Sequence, residues 1–130
     1  MAAPGARVVN LQADGSACYS LPALWTQARE GLAVTTLICA NRDYAILKVE
    51  MARQRVRLAA PAPANGGGAS RVGGVARSLT HIGAPDIDFV ALAAGFGVPG
   101  VRVSTTEELA AALRQALARP GPFLIEAVLA

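Results

Sequence analysis

Residues 7–44 read RVVNLQADGSACYSLPALWTQAREGLAVTTLICANRDY, and this stretch decides the fold. Arg7 to Gln12 is apolar at Val8, Val9 and Leu11 and reads as a short strand. Asp14-Gly15-Ser16 interrupts it with turn residues. Leu21, Leu24, Trp25 and Ala28 then recur at the spacing of one helical face, which predicts a helix with Trp25 in its core stripe. Gly31 is placed to end that helix, because glycine takes the left-handed conformation of a C-cap without a steric cost. Val34 to Ala40 is β-branched, apolar and uncharged, as expected of a strand covered on both faces.

The same alternation continues outward. Tyr44 to Arg53 reads as a helix, apolar at Ile46, Leu47, Val49 and Met51. Residues 58–77 are dominated by Ala, Pro and Gly and read as a flexible loop. A helix is expected over Asp86–Gly95 with Phe89, Val90 and Leu92 inward, then a short strand at Val101–Val103. Thr105 or Thr106 caps a further helix whose first turn holds Glu107 and Glu108 and whose later part holds Arg114 and Arg119, the charge order that suits a helix dipole. Pro120-Gly121-Pro122 ends it, and Phe123–Leu129 forms a last strand. Strands alternating with helices predict one three-layer α/β domain over residues 1–130, with a mainly parallel sheet and helices on both faces.

Composition narrows the function. The chain has 130 residues, 53% of them hydrophobic and 16% charged, but 28 are alanine, so the Val, Leu and Ile runs must carry the core. The charge of +3 is concentrated at Arg53, Arg55, Arg57, Arg71 and Arg77, in a stretch without acids or interleaved aromatics. That stretch reads as a solvated loop or the rim of an anionic-ligand site, not as a nucleic-acid surface. Cys18 and Cys39 make no disulfide framework and read as small buried hydrophobes. A lone histidine without a Cys/His cluster argues against zinc. No signal peptide and no apolar run of membrane length is seen, so a cytoplasmic protein is expected.

In a parallel sheet, ligands bind beyond the carboxyl ends of the strands. Two successive turns there have the composition of a site. Asp14 offers a carboxylate oxygen and Asn41 an amide oxygen, and with phosphate oxygens and water these suit octahedral Mg²⁺. Gly15 lets the backbone approach a phosphate closely. The amides of Gly15 and Ser16 open a helix, and the Ser16 hydroxyl can donate to a phosphate oxygen. The second turn adds the main-chain carbonyl of Asp43 and further amides. Each turn alone is more often a structural feature, DGS a common turn and Asn a common cap; the pair after successive strands is the specific signal.

The run DGSACYSLPALWTQAREGLAVTTLICANRDYAIL resembles the cofactor motif of thiamine-diphosphate-dependent enzymes: Gly-Asp-Gly, a spacer in the mid-twenties, then Asn. Residues 16–40 form a 25-residue spacer before Asn41. ALWTQAREGL and ANRDYAIL, and more loosely DFVALAAGFGV, TTEELAAAL and PGPFLIEA, are similar to acetolactate synthase and benzoylformate decarboxylase. The resemblance implies Asp14, Asn41 and the Asp43 carbonyl as Mg²⁺ ligands. Gly15, Ser16, Asp43, Tyr44 and Ala45 would line the diphosphate, and Ile46 would pack near the thiazolium. It further implies a 2-oxo acid substrate and a homo-oligomer or partner chain. Two departures stand out. Ala13 replaces the first glycine, which is tolerated if its φ is negative. Members of the family are also several times longer, so the pyrimidine-binding domain, with the glutamate that activates the cofactor, and the earlier part of the diphosphate domain are expected to lie outside this chain.

The expected function is therefore a Mg²⁺–diphosphate anchor that is inactive alone. The alternative is a non-enzymatic remnant with a partial α/β fold. A nicotinamide-dinucleotide site is disfavoured, because the first turn lacks GxGxxG. His81 has no acid or nucleophile near it in sequence, and no catalytic role is expected of it. Cys18, beside the phosphate turn, is expected to be buried; a thiol exposed at a helix start would instead have a lowered pKa.

Overall fold

The computed structural model describes residues 6–58 and 78–129, the side chains of 55–58 excepted. The chain divides into two compact units, Met1–Asn41 with Asp88–Ala130, and Arg42–Ile87.

The first unit contains β1 (Val8–Ala13), α1 (Asp14–Ala17), α2 (Ala23–Arg29) and β2 (Val34–Ala40). After the second unit's α3 (Ala45–Leu58), it resumes with α4 (Phe89–Gly95), β3 (Gly100–Val103), α5 (Thr106–Ala118) and β4 (Phe123–Val128). The four strands form one sheet in the order β1-β2-β4-β3, with every pairing parallel. This is the α/β architecture expected from the alternation.

Register divides the side chains between two faces. Thr36 lies beside Leu124, and Ile38 beside Glu126, so these share one face with Asn10, Gln12 and Arg102. On the other face Phe123, Ile125 and Ala127 of β4 join Val103 of β3 and pack against Ala112 and Ala116 of α5. Alanines at i and i+4 let that helix sit close to the strands. The two central strands are the buried ones: β2 at Thr35, Thr36, Ile38 and Ala40, and β4 from Phe123 to Ala127, Glu126 included. β1 differs. It is an edge strand, and Val8, Val9 and Leu11 are about half exposed or more.

Several local expectations need correction. Trp25 is 52% exposed with the Arg29 guanidinium over its ring, and Leu24, at 3%, occupies the core instead. The inward stripe centres on buried Leu24 with Leu21 and Ala28 half-buried beside it, which leaves Trp25 about 100° round the helix from Leu24. The helix expected over Asp86–Gly95 begins only at Phe89, because the Asp88 side chain caps it by accepting from the Ala91 amide at 2.8 Å. Its sheet-facing pair is Phe89 and Ala93, so Leu92 points outward. α3 exists and is longer than expected, but Ile46, Leu47 and Val49 are exposed. The loop expected at 58–77 lies, beyond Leu58, outside the described residues.

Candidate functional site

In the first unit β1 leads directly into the Asp14-Gly15-Ser16 turn. Ala13 is extended, with φ −81° and ψ 155°, so the methyl group in place of the motif's first glycine causes no strain. Asp14 opens α1 and is only 2% exposed; its Oδ1 accepts from the Gly15 amide at 2.8 Å. Gly15 is buried and Ser16 exposed. Asn41, also exposed, follows β2 immediately. Because Ala13 pairs with Cys39 in parallel register, Asp14 and Asn41 emerge at the same edge of adjacent strands. Such strands run about 4.8 Å apart. The fold thus brings a carboxylate and an amide, both hard oxygen donors, to the carboxyl end of the sheet, and that donor set fits a divalent cation. A cleft of about 160 Å³ lies elsewhere, between α1–α2 and the Asn10–Gln12–Thr36 face, and does not include the motif residues.

The second unit holds the rest of the motif. Arg42 has φ +60°, an uncommon conformation for a residue with a side chain, costing about 1–2 kcal/mol. Its guanidinium forms a two-point ion pair with Asp86, Nε–Oδ1 2.8 Å and Nη2–Oδ2 2.9 Å. The Asp43 carboxylate contacts Lys48 Nζ at 2.5 Å and His81 Nδ1 at 3.4 Å. The Lys48 hydrogen bond, with help from His81, holds this carboxyl below its usual range against a smaller opposing desolvation. The Tyr44 amide donates to the Thr80 carbonyl at 2.8 Å. Ala45 and Ile46 open α3 and are exposed.

Residues 1–127 match the model of the thiamine pyrophosphate enzyme C-terminal TPP-binding domain. The chain belongs to this thiamine pyrophosphate-binding family. Among its relatives is IlvX of Mycobacterium tuberculosis, a candidate acetolactate synthase large subunit, 48% identical over 98% of this chain and 22% of that protein. Another is benzoylformate decarboxylase of Pseudomonas aeruginosa, 32% identical over 97% of this chain and 20% of the relative. Among solved structures, the 4-hydroxybenzoylformate decarboxylase of Rhodococcus jostii RHA1 matches with TM-score 0.71 and 32% identity over 96% of this chain and 20% of that one. The benzoylformate decarboxylase of Polynucleobacter necessarius matches with TM-score 0.73 and 25% identity, over 95% of this chain and 19% of its own. The chain therefore spans about a fifth of the length of these relatives. The family's cofactor is thiamine diphosphate with Mg²⁺.

For a thiamine pyrophosphate-binding domain, three details of the motif differ from expectation. The Tyr44 amide is already used by Thr80 and so is withdrawn from an anion, whereas the amides of Ala45 and Ile46, as first-turn groups, have no acceptor within the helix. Cys18 is exposed, not buried, and Cys39 half-buried. What burial the Cys18 sulfur has, with the Asp14 charge beside it, pushes its thiol upward, and the residue sits at the C-cap of α1, the negative end of that helix, not at its start. His81 does have an acid neighbour, Asp43, 38 residues away in sequence. No sequence signal marks that contact or the Arg42–Asp86 pair, since both depend on how the second unit folds back on itself. Of the basic stretch, only Arg53 has a described side chain, and it is paired with Glu50. Among the described residues no helix is long and apolar enough to cross a membrane, and no cluster of three His, Cys, Asp or Glu could hold a metal.

Proposed function

We propose that this chain anchors the diphosphate of thiamine diphosphate through Mg²⁺, as part of a cytoplasmic 2-oxo acid decarboxylase or carboligase of the acetolactate synthase type. The observation that carries this is the nearly complete burial of Asp14 at the end of β1, next to Asn41 at the end of β2. Its Oδ1 accepts from the Gly15 amide, which fixes the carboxylate at the strand end, and carboxylate and amide oxygens are the donors that a Mg²⁺ ion takes.

Asp14, Asn41 and the Asp43 carbonyl would hold the metal. The Asp43 carboxylate is occupied by Lys48, which suits a role for the carbonyl alone. Gly15 and Ser16 would bind diphosphate oxygens from the first turn, and the amides of Ala45 and Ile46 from the second. Tyr44 and the Ile46 side chain would border the cofactor. When bound, thiamine diphosphate supplies a carbon nucleophile that adds to the carbonyl of a 2-oxo acid and accepts the electron pair released as CO₂ departs. The residues of this chain bind and orient; none is assigned a proton transfer. A partner chain, or sequence beyond these 130 residues, would provide the pyrimidine-binding domain, so these residues alone should not turn over pyruvate.

The competing reading is a non-enzymatic domain that folds without binding the cofactor, and the commitment of the Tyr44 amide to Thr80 favours it. Titration calorimetry with thiamine diphosphate separates the two. Binding that requires Mg²⁺ and weakens at least about tenfold in Asp14→Asn is expected, since even outer-shell partners of metal ligands are worth that much. No binding with Mg²⁺ present would leave the non-enzymatic reading.

A further inference from the structure

We propose that the Arg42–Asp86 ion pair is a positioning device for the second cofactor turn, an inference that rests on the proposed diphosphate site. Arg42 is the residue between Asn41 and Asp43, and its φ of +60° sets the direction in which the chain delivers the Asp43 carbonyl and the α3 amides. A residue with a Cβ keeps such a conformation only where its surroundings over-determine it. Here four contacts do so. The guanidinium is held at two points by Asp86. The Arg42 carbonyl accepts from the Ile82 amide at 2.9 Å, and the Tyr44 amide donates to the Thr80 carbonyl at 2.8 Å. Gly83 lies so close that a Cβ there would come within 3.0 Å of the Arg42 Cβ. Residues 80–86 therefore act as a brace on residues 42–44. The two-point geometry needs a planar guanidinium, which lysine lacks.

The test combines Mg²⁺-dependent thiamine diphosphate affinity, by calorimetry, with hydrogen exchange at the Tyr44 and Ile82 amides. Asp86→Asn and Arg42→Lys are expected to weaken binding at least fivefold and to speed exchange at those two amides, while the amides of β2 and β4 keep their protection. Glycine takes φ +60° without strain, so Asp86→Asn should cost much less in an Arg42→Gly background. The positioning role is overturned if wild type binds but Asp86→Asn changes neither readout, or if it costs the same in both backgrounds. Wild type failing to bind with Mg²⁺ would instead remove the diphosphate reading itself, and the role at that site with it.

Discussion

Single positions show where chemistry was readable and where it was not. Ala13 could be judged in advance: a methyl group needs a negative φ, and it has one. The placement of Asp14 and Asn41 at the ends of successive strands was legible because residue type and spacing are local properties. The pairs Arg42–Asp86 and Asp43–His81 were not, because sequence separations of 44 and 38 carry no periodic signal. Gly100 illustrates a constraint of the same hidden kind. A Cβ there would lie 3.0 Å from the Leu124 carbonyl oxygen and 3.3 Å from its Cβ, inside the β3–β4 pairing. Gly100→Ala should therefore destabilise the chain by about 1–3 kcal/mol, the usual cost of overpacking, measurable as a lower urea midpoint with an unchanged slope.

Whole elements were the most legible scale, since a helix or strand is written in its own residues. The α5 cap is a clear instance. The Thr105 hydroxyl accepts from the Glu108 amide, and the Glu108 carboxylate accepts from the amides of Ser104 at 2.8 Å and Thr105 at 3.2 Å. These bonds hold the Glu108 carboxyl below its usual range. A carboxyl depressed on folding stabilises the fold above its ordinary range, and the contribution disappears as pH falls through the lower, folded value. Glu108→Gln should thus melt below wild type at neutral pH, and the gap should close as pH drops through and below the ordinary carboxylate range. A gap that stays constant with pH would mean the charge is not what stabilises the cap. Orientation was less legible. Apolar spacing in α2 admitted both Leu24 and Trp25, and only packing against the sheet chose Leu24.

At the scale of the molecule, the exposed apolar edge has a consequence. β1 presents Val8, Val9 and Leu11 at 48%, 51% and 67% exposure on an edge strand, a surface prone to association. Leu11→Lys should keep the far-ultraviolet circular dichroism of wild type and lower the sedimentation-detected self-association at high concentration. Equal association in both would place the contact elsewhere. The amino-acid sequence by itself determined the order of strands and helices, the parallel α/β class and the two turns that carry the motif, because each is set by periodicity and residue type within a few positions. The tertiary structure decided that the sheet runs β1-β2-β4-β3, that β2 and β4 are central while β1 is left at an edge, and that the second turn is tied to residues 80–86. Those outcomes depend on which surfaces bury each other across long stretches of chain, and that free energy belongs to the packed whole and to no single segment.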